Sequence, residues 1–128
     1  MNDQLAQVLE FHRTFSCHIE ELPTSAIPPE IVDVRARLFE EELGEYRQAA
    51  QQGDIVGIAD ALSDMLYVLL GTYVAHGLRD LAEELFVEVH RSNMSKLGPD
   101  GKPLLRADGK ILKPENYQSP DLASIIDS

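Results

Sequence analysis

Phe39-Glu40-Glu41-Glu42-Leu43-Gly44-Glu45 is the stretch on which the reading of this 128-residue chain turns. It lies inside a run from Pro29 to Gln51 in which Ile31, Val34, Leu38 and Ala49 recur at helical spacing. At about 100° per residue from Ile31, Val34 falls near −60°, Leu38 near −20° and Ala49 near 0°, which defines the inward face. On the same wheel Glu42 falls at about 20°, Glu45 at about −40° and Glu41 at about −80°, whereas Glu40 points to the opposite side. Glu40 is ordinary solvated charge. The other three carboxylates converge on a stripe that should be buried, and burying them costs too much unless cations sit among them.

A second acidic pair supports this reading. Asp60 and Asp64 are the only acidic residues between Ile55 and Gly77, and their spacing of four puts both on one helix face. With Glu41, Glu42 and Glu45 they form an oxygen-only donor set. That set selects a hard divalent cation, Mg²⁺ or alternatively Mn²⁺, with room for two or more ions when phosphates complete the shell. Three other readings compete with it. The glutamates are solvated surface charge, or the aspartates are salt-bridged to Arg35, Arg37 or Arg47, or the chain is a di-iron carboxylate bundle. The last wants Glu-x-x-His pairs, and His12, His18, His76 and His90 are preceded at that spacing by Leu9, Phe15, Tyr73 and Val87.

Composition narrows the function classes. The net charge is −11, yet the only lysines are Lys96, Lys102, Lys110 and Lys113, so an acidic body carries a basic segment. Such a body repels nucleic acid and anionic lipid, and a polyanion can bind only through the lysine segment or through bound metal. We expect neither a nucleic-acid nor a membrane partner. A lone Cys17 and a start without a basic and apolar leader fit a reducing, cytoplasmic location. The apolar run Ile55 to Gly77 is long enough to span a bilayer, but Asp60 and Asp64 make it the buried helix of a soluble bundle instead.

The expected organisation is a single all-α domain over residues 1–128, with a helical body from about 3 to 97 and a basic tail from about 98 to 128. Helices are expected at Asp3 to Cys17, Pro29 to Gln51, Ile55 to Gly77 and from the capping box Asp80-Leu-Ala-Glu83 to about Ser95. Gly53 should close the second helix and Asp54 cap the third. Asp108-Gly109 between short apolar stretches signals a β-hairpin or an ordered loop, and Ser119-Pro120-Asp121 opens a short last helix over Asp121 to Asp127. One chain offers too few helices to surround the apolar third one, so the bundle should complete itself as a homodimer or tetramer.

Glu41-Glu42-Leu43-Gly44-Glu45 and Ile58-Ala-Asp-Ala-Leu-Ser-Asp-Met-Leu-Tyr-Val68 resemble the two acidic helix motifs, Glu-Glu-x-x-Glu and Glu-x-x-Asp, of the all-α NTP pyrophosphatase superfamily. This group includes MazG-like proteins, phosphoribosyl-ATP pyrophosphohydrolases and dimeric dUTPases. With the family's aspartate placed on Asp64, Ala61 stands where the glutamate would be, and Asp60 serves from one position earlier, a shift that leaves the number of metal ions open. The likeness continues through Phe86-Val-Glu-Val-His-Arg-Ser-Asn-Met-Ser-Lys96 and Asp108-Gly-Lys-Ile-Leu-Lys-Pro-Glu-Asn-Tyr117, which are similar to the tail of the MazG-like and phosphoribosyl-ATP pyrophosphohydrolase-like branch.

The resemblance implies hydrolysis of a nucleoside triphosphate between the α and β phosphates, with Glu41, Glu42, Glu45, Asp60 and Asp64 holding the metal and Glu42 or Glu45 handling the attacking water. It also implies Asn93 and Lys96 at the substrate phosphates, with Lys110 and Lys113 as weaker candidates. Phe11, His12 and Tyr67 are candidates for a base pocket, against the alternative that they are core packing. Alternatives to nucleotide-pool sanitation are phosphoribosyl-ATP pyrophosphohydrolysis and, from another class, a non-catalytic helical oligomer that senses nucleotide or metal.

Overall fold

The computed structural model describes residues 1–128. It is all-α, with helices α1 (Asn2–Thr14), α2 (Pro29–Gln52), α3 (Ile55–Ala75), α4 (Ala82–Met94) and α5 (Leu122–Ile126), and a 3-10 turn at Arg79–Leu81. Its contacts divide it into two compact units, Met1–Asp80 and Leu81–Ser128.

In the first unit, Pro29 opens α2 behind Pro28, and Gly53 ends it in the left-handed conformation (φ 66°). The Gly53 amide donates to Ala50 O at 3.2 Å and the Asp54 amide to Ala49 O at 3.0 Å, the pair of bonds that satisfies the last carbonyls of a helix. Asp54 then caps α3 by accepting from the Gly57 amide at 3.0 Å. A two-residue link turns α3 back antiparallel to α2. Small residues on α3 (Ala61, Gly71, Ala75) are buried and let its neighbours approach closely. α1 packs against α3, burying Leu5, Val8 and His12. Arg35 staples α2 to α3, its Nε donating to Thr72 Oγ1 at 3.1 Å and its Nη2 to Val68 O at 2.9 Å. Gly71 leaves room for this: a Cβ there would lie 2.6 Å from Arg35 Nη2 and 2.9 Å from His12 Nε2.

The loop from Ser16 to Pro28 is stitched to the end of α3. Glu20 N donates to Val74 O (3.2 Å), Thr24 N to His76 O (3.0 Å) and Arg79 Nη1 to Glu20 O (2.9 Å). Thr24 O in turn lies 2.9 Å from His76 Nδ1.

In the second unit, Asp121 caps α5 by accepting from the Ser124 amide at 3.2 Å. The segment before it is fastened to the end of α4. Ser92 Oγ donates to Gln118 O at 2.8 Å, Gln118 N to Ser95 Oγ at 2.9 Å, and Asn116 Nδ2 to Leu97 O at 3.1 Å.

The structure corrects several expectations. The β-hairpin does not form. Two isolated bridges, Leu97 with Pro103 and Leu105 with Ile111, are the only β pairing, so the ordered-loop alternative holds. Residues 99–111 are all exposed and offer no apolar face to reward a ladder, and Pro99, Pro103 and Pro114 withhold amide donors. α1 stops at Thr14, short of Cys17, because Ser16 turns left-handed (φ 56°). α3 stops at Ala75 because Gly77 does the same (φ 71°). The Asp80 capping box gives way to the 3-10 turn, and the N-cap of α4 is Leu81, without a side-chain bond. The last helix begins one residue later than expected, with Asp121 rather than Ser119 as its cap. The single chain does not enclose α3, as its helix count implies: Ile55 and Val56 are 73% and 75% exposed, and Leu62, Leu66 and Leu69 are also open.

Gly77 gives a direct test of the packing at the end of α3. A Cβ there would sit 2.1 Å from the backbone oxygen of Leu22, in a left-handed conformation. The Gly77→Ala variant should lose at least about 2 kcal/mol in urea denaturation. Gly101→Ala, also left-handed but in open space, should lose only about 1 kcal/mol. Equal losses would contradict this packing.

Candidate metal centre and phosphate-binding segment

Glu42 and Glu45 on α2 and Asp64 on α3 each bring a carboxylate oxygen within 4.8 Å of the others. Glu42 is half-buried, Glu45 and Asp64 are exposed, and Glu42 Oε2 is shielded from solvent without any hydrogen-bond partner. Its surroundings push the Glu42 carboxyl up to about 7. Desolvation is the main cause, followed by the charges of Glu45 and Asp64, the close approach of the Glu45 carboxyl, and the charge of Asp60.

Of the arginines weighed against a metal site, Arg35 and Arg37 are engaged elsewhere, and Arg47 forms no ion pair with either aspartate. Arg35 binds Thr72 and Val68, and Arg37 donates to Asp33 O. The ion pairs His18–Glu20, Arg79–Glu21, Arg91–Glu88 and Arg106–Asp108 lie away from the trio. Three converging carboxylates and an orphaned buried oxygen without a cation are the donor set a hard divalent ion fits. Two expected members stand apart. Asp60 is exposed and outside the trio, although its charge reaches Glu42, and Glu41 is exposed and outside it as well.

The aromatic candidates separate. Phe11 and Tyr67 meet edge to face, 5.6 Å between centroids at 89°, and both rings are about 40% open to solvent. Tyr67 lies one turn beyond Asp64 on α3, so this ring pair flanks the acidic trio. Phe15, which the sequence places simply among apolar helix positions, stacks on Phe11 at 4.5 Å and is the most exposed of the three. His12 is enclosed at 3% exposure, with Nδ1 2.9 Å from His18 O. Burial lowers its pKa against the raising effect of the His18 hydrogen bond, and the charges of Arg35 and His18 lower it further. Its ring packs between helices rather than facing solvent.

In the second unit, Asn93 is exposed on the last turn of α4, and its carbonyl accepts from the Lys96 amide at 3.1 Å. The bonds from Ser92, Ser95 and Leu97 to residues 116–118 bring Lys113 and Tyr117 back to the end of α4. Lys113 Nζ sits 5.1 Å from the Tyr117 ring centroid. The Lys110 side chain is exposed, while its amide donates to Asp108 Oδ1 at 3.1 Å. Tyr117 is not among the candidates read from the sequence, yet it meets Lys113 and Ser92. Its place within the basic tail segment was visible, but its pairing with Lys113 and Ser92 depends on the fold.

Two acidic helices paired antiparallel in an all-α fold are the arrangement of the all-α NTP pyrophosphatase superfamily, hydrolases acting on phosphoric anhydrides, and its family match and structural likeness place the chain there. The family model of phosphoribosyl-ATP pyrophosphohydrolase matches residues 8–93, and the chain belongs to that family. Among solved structures it is similar to a protein of Exiguobacterium sp. 255-15 provisionally described as an NTP pyrophosphohydrolase. The two share 28% identity over 96% of this chain and 94% of that one, at a TM-score of 0.54. No curated protein matches the chain.

The raised Glu42 carboxyl has a measurable consequence. In the metal-free protein it ionises near 7 when folded, against an ordinary value of 4.5 when unfolded. Between those values the folded state binds more protons, so stability should fall as pH rises from about 4.5 to 7 and then level off. In EDTA, Glu42→Gln should flatten this slope and be more stable than wild type at pH 8 by about 1 kcal/mol, solvent screening much of the repulsion. Urea midpoints at pH 5 and 8 test it, and an unchanged slope in the variant would contradict the clustering.

Proposed function

We propose that the protein is a Mg²⁺-dependent nucleoside triphosphate pyrophosphohydrolase, with Mn²⁺ as an alternative metal. It cleaves a ribo- or deoxynucleoside triphosphate between the α and β phosphates to the monophosphate and pyrophosphate, as nucleotide-pool sanitation. The observation that carries this reading is the trio Glu42, Glu45 and Asp64 with the orphaned Glu42 Oε2. These three would hold the metal, with Glu41 and Asp60 as outer members of the same acidic surface. A bound divalent ion supplies charge neutralisation at the phosphates and an acidified water. Glu42 or Glu45 orients that water or accepts its proton. Asn93, Lys96, Lys110 and Lys113 supply the donors that phosphate oxygens require. Phe11 and Tyr67 offer ring surface for a base, and His12 supports them from behind.

We further propose that residues 1–128 work as one domain, in the cytoplasm, and as a homodimer or tetramer. The open apolar side chains of α3, Leu62, Leu66 and Leu69, support the oligomer, since a lone chain leaves them in water. A second reading is favoured by the matching family itself: phosphoribosyl-ATP is the substrate, cleaved by the same metal cage.

Pyrophosphate release from a panel of ribo- and deoxynucleoside triphosphates and phosphoribosyl-ATP decides between them. We expect release that needs Mg²⁺ or Mn²⁺, stops in EDTA, and drops at least about 100-fold in kcat/KM in Glu42→Ala and Asp64→Ala. Turnover of phosphoribosyl-ATP alone would select the second reading. Metal and nucleotide binding without turnover of any substrate would make the protein a sensor. Sedimentation velocity should show the dimer or tetramer for wild type and a monomer for Leu62→Glu; a monomeric wild type would refute the oligomer.

A further inference from the structure

The second unit builds more than a row of surface lysines. Ser92, 98% buried, anchors the turn that carries Tyr117, with Ser92 Oγ donating to Gln118 O and lying 3.3 Å from the Tyr117 hydroxyl. Ser95 Oγ accepts from Gln118 N at 2.9 Å and donates to Ser92 O at 2.6 Å. Arg91 closes the other side of the turn, Nη1 donating to Gln118 Oε1 at 2.8 Å and Nη2 to Ser119 O at 3.2 Å. The turn that carries Tyr117 is therefore fixed from three directions, Ser92 meets the Tyr117 hydroxyl, and the Lys113 ammonium lies over the half-buried ring. A cation held over a ring loses fewer conformations when it binds an anion than a free lysine does.

Charge supports the same picture. The arginines of this unit, Arg91 and Arg106, are each paired with a carboxylate. Lys96 and Lys113 have no such partner, and the charges of both reach the Tyr117 phenol. The phenol is held below its usual range chiefly by the Ser92 hydrogen bond, then by Lys113, by a hydrogen bond with Ser119, and by Lys96. Lys96 stands between Ser95 and Leu97, which are bonded to Gln118 and Asn116 on either side of Tyr117, and two unneutralised lysines beside one residue in a chain of net charge −11 select an anion with several oxygens.

We propose that Tyr117 is a positioning residue for phosphate binding: its Ser92-anchored ring carries Lys113, so that Lys113 and Lys96 act as one two-ammonium clamp for a polyphosphate. This rests on the proposed pyrophosphohydrolase reading for its role in turnover, but the clamp itself is testable without a nucleotide.

The first measurement uses the wild-type chain in EDTA, titrated with inorganic tripolyphosphate and followed by the side-chain NMR signals of lysine and tyrosine. Lys96, Lys113 and Tyr117 should shift together with one binding constant, and Lys102 should not. Equal shifts at all lysines, or none, would overturn the clamp. Shifts at the clamp in a protein that hydrolyses no nucleotide would keep it and sink the enzymatic reading instead.

The second measurement is kinetic. Tyr117→Leu should raise KM about tenfold with kcat within about twofold, and Tyr117→Phe, which keeps the ring, should raise it no more than about threefold. In a Lys113→Met background, Tyr117→Leu should add less than about twofold, because the ring acts through Lys113. A full tenfold rise in that background, or a fall in kcat with KM unchanged, would overturn the positioning role.

Discussion

Mutual repulsion among Glu42, Glu45 and Asp64, imposed by the turn between α2 and α3, is the constraint around which the first unit is arranged. Glu42 and Asp64 each stand eleven residues from Gly53. In an antiparallel helix pair, residues equidistant from the turn come level, here about 16 Å along the axis. Glu45 lies one turn closer to the link on the same stripe and completes the trio, while Asp60, about one turn closer on α3, stands outside it and reaches Glu42 only through its charge. The left-handed Gly53 and the Asp54 cap are therefore as much a part of the site as the carboxylates, because lengthening or shortening the link by one residue would put Glu42 and Asp64 out of step.

Such a site costs stability in the absence of a cation, and the fold offsets this next to it rather than within it. Arg35 bridges α2 to α3 through Thr72 and Val68, two turns along α2 from Glu42, and Gly71 opens the space for it. The end of α3 is tied to the 16–28 loop by backbone bonds to Val74 and His76. The C-terminal half of α3 is thus the firm end of the helix, and the half carrying Asp60 and Asp64 is the one with open apolar neighbours. A helix that is apolar nearly all round, firm at one end and charged at the other, is suited to hold a cation beside an open apolar surface.

Much of this was legible in the sequence, and the failures have particular causes. Pro28-Pro29, Gly53 and Asp54 act locally through fixed φ, left-handed backbone and a side-chain cap, so their roles could be read from residue type alone. Glu42 and Glu45 lay near the centre of the apolar stripe and are found at the trio. Glu41, at the edge of the wheel, is exposed, because α2 buries only a narrow stripe in this chain, with Arg35 and Glu42 on it and Val34 41% open. The wheel puts Arg35 at about 40°, beside Glu42, but could not show how its charge is accommodated, since that depends on a glycine thirty-six residues later. For His12 the sequence left core packing and a base pocket both open, because its bond partner, His18 O, lies in a loop without periodicity. The β-hairpin signal at Asp108-Gly109 was a true turn signal, with Gly109 left-handed at φ 88°, but a turn specifies a hairpin only when flanking strands have something to bury.

The tail replaces a sheet with side-chain hydrogen bonds, and that choice has a consequence for charge. A β-ladder would have consumed backbone groups along residues 97–112 and presented alternate side chains to opposite faces. Instead, the hydroxyls of Ser92 and Ser95 and the amide of Asn116 hold a turn at the end of α4, which leaves the lysines unpaired on an ordered loop. Within the second unit the basic residues divide by type. Arg91 and Arg106 pair with Glu88 and Asp108 and fasten the chain to itself, using the planar fork that suits fixed carboxylate geometry. The lysines, compact point charges on flexible stems, take no carboxylate although the chain carries 22 acidic residues. With so many carboxylates available, four free ammonium groups within eighteen positions reflect a fold that keeps them away from internal partners, and an external polyanion is the counter-charge that such a segment lacks.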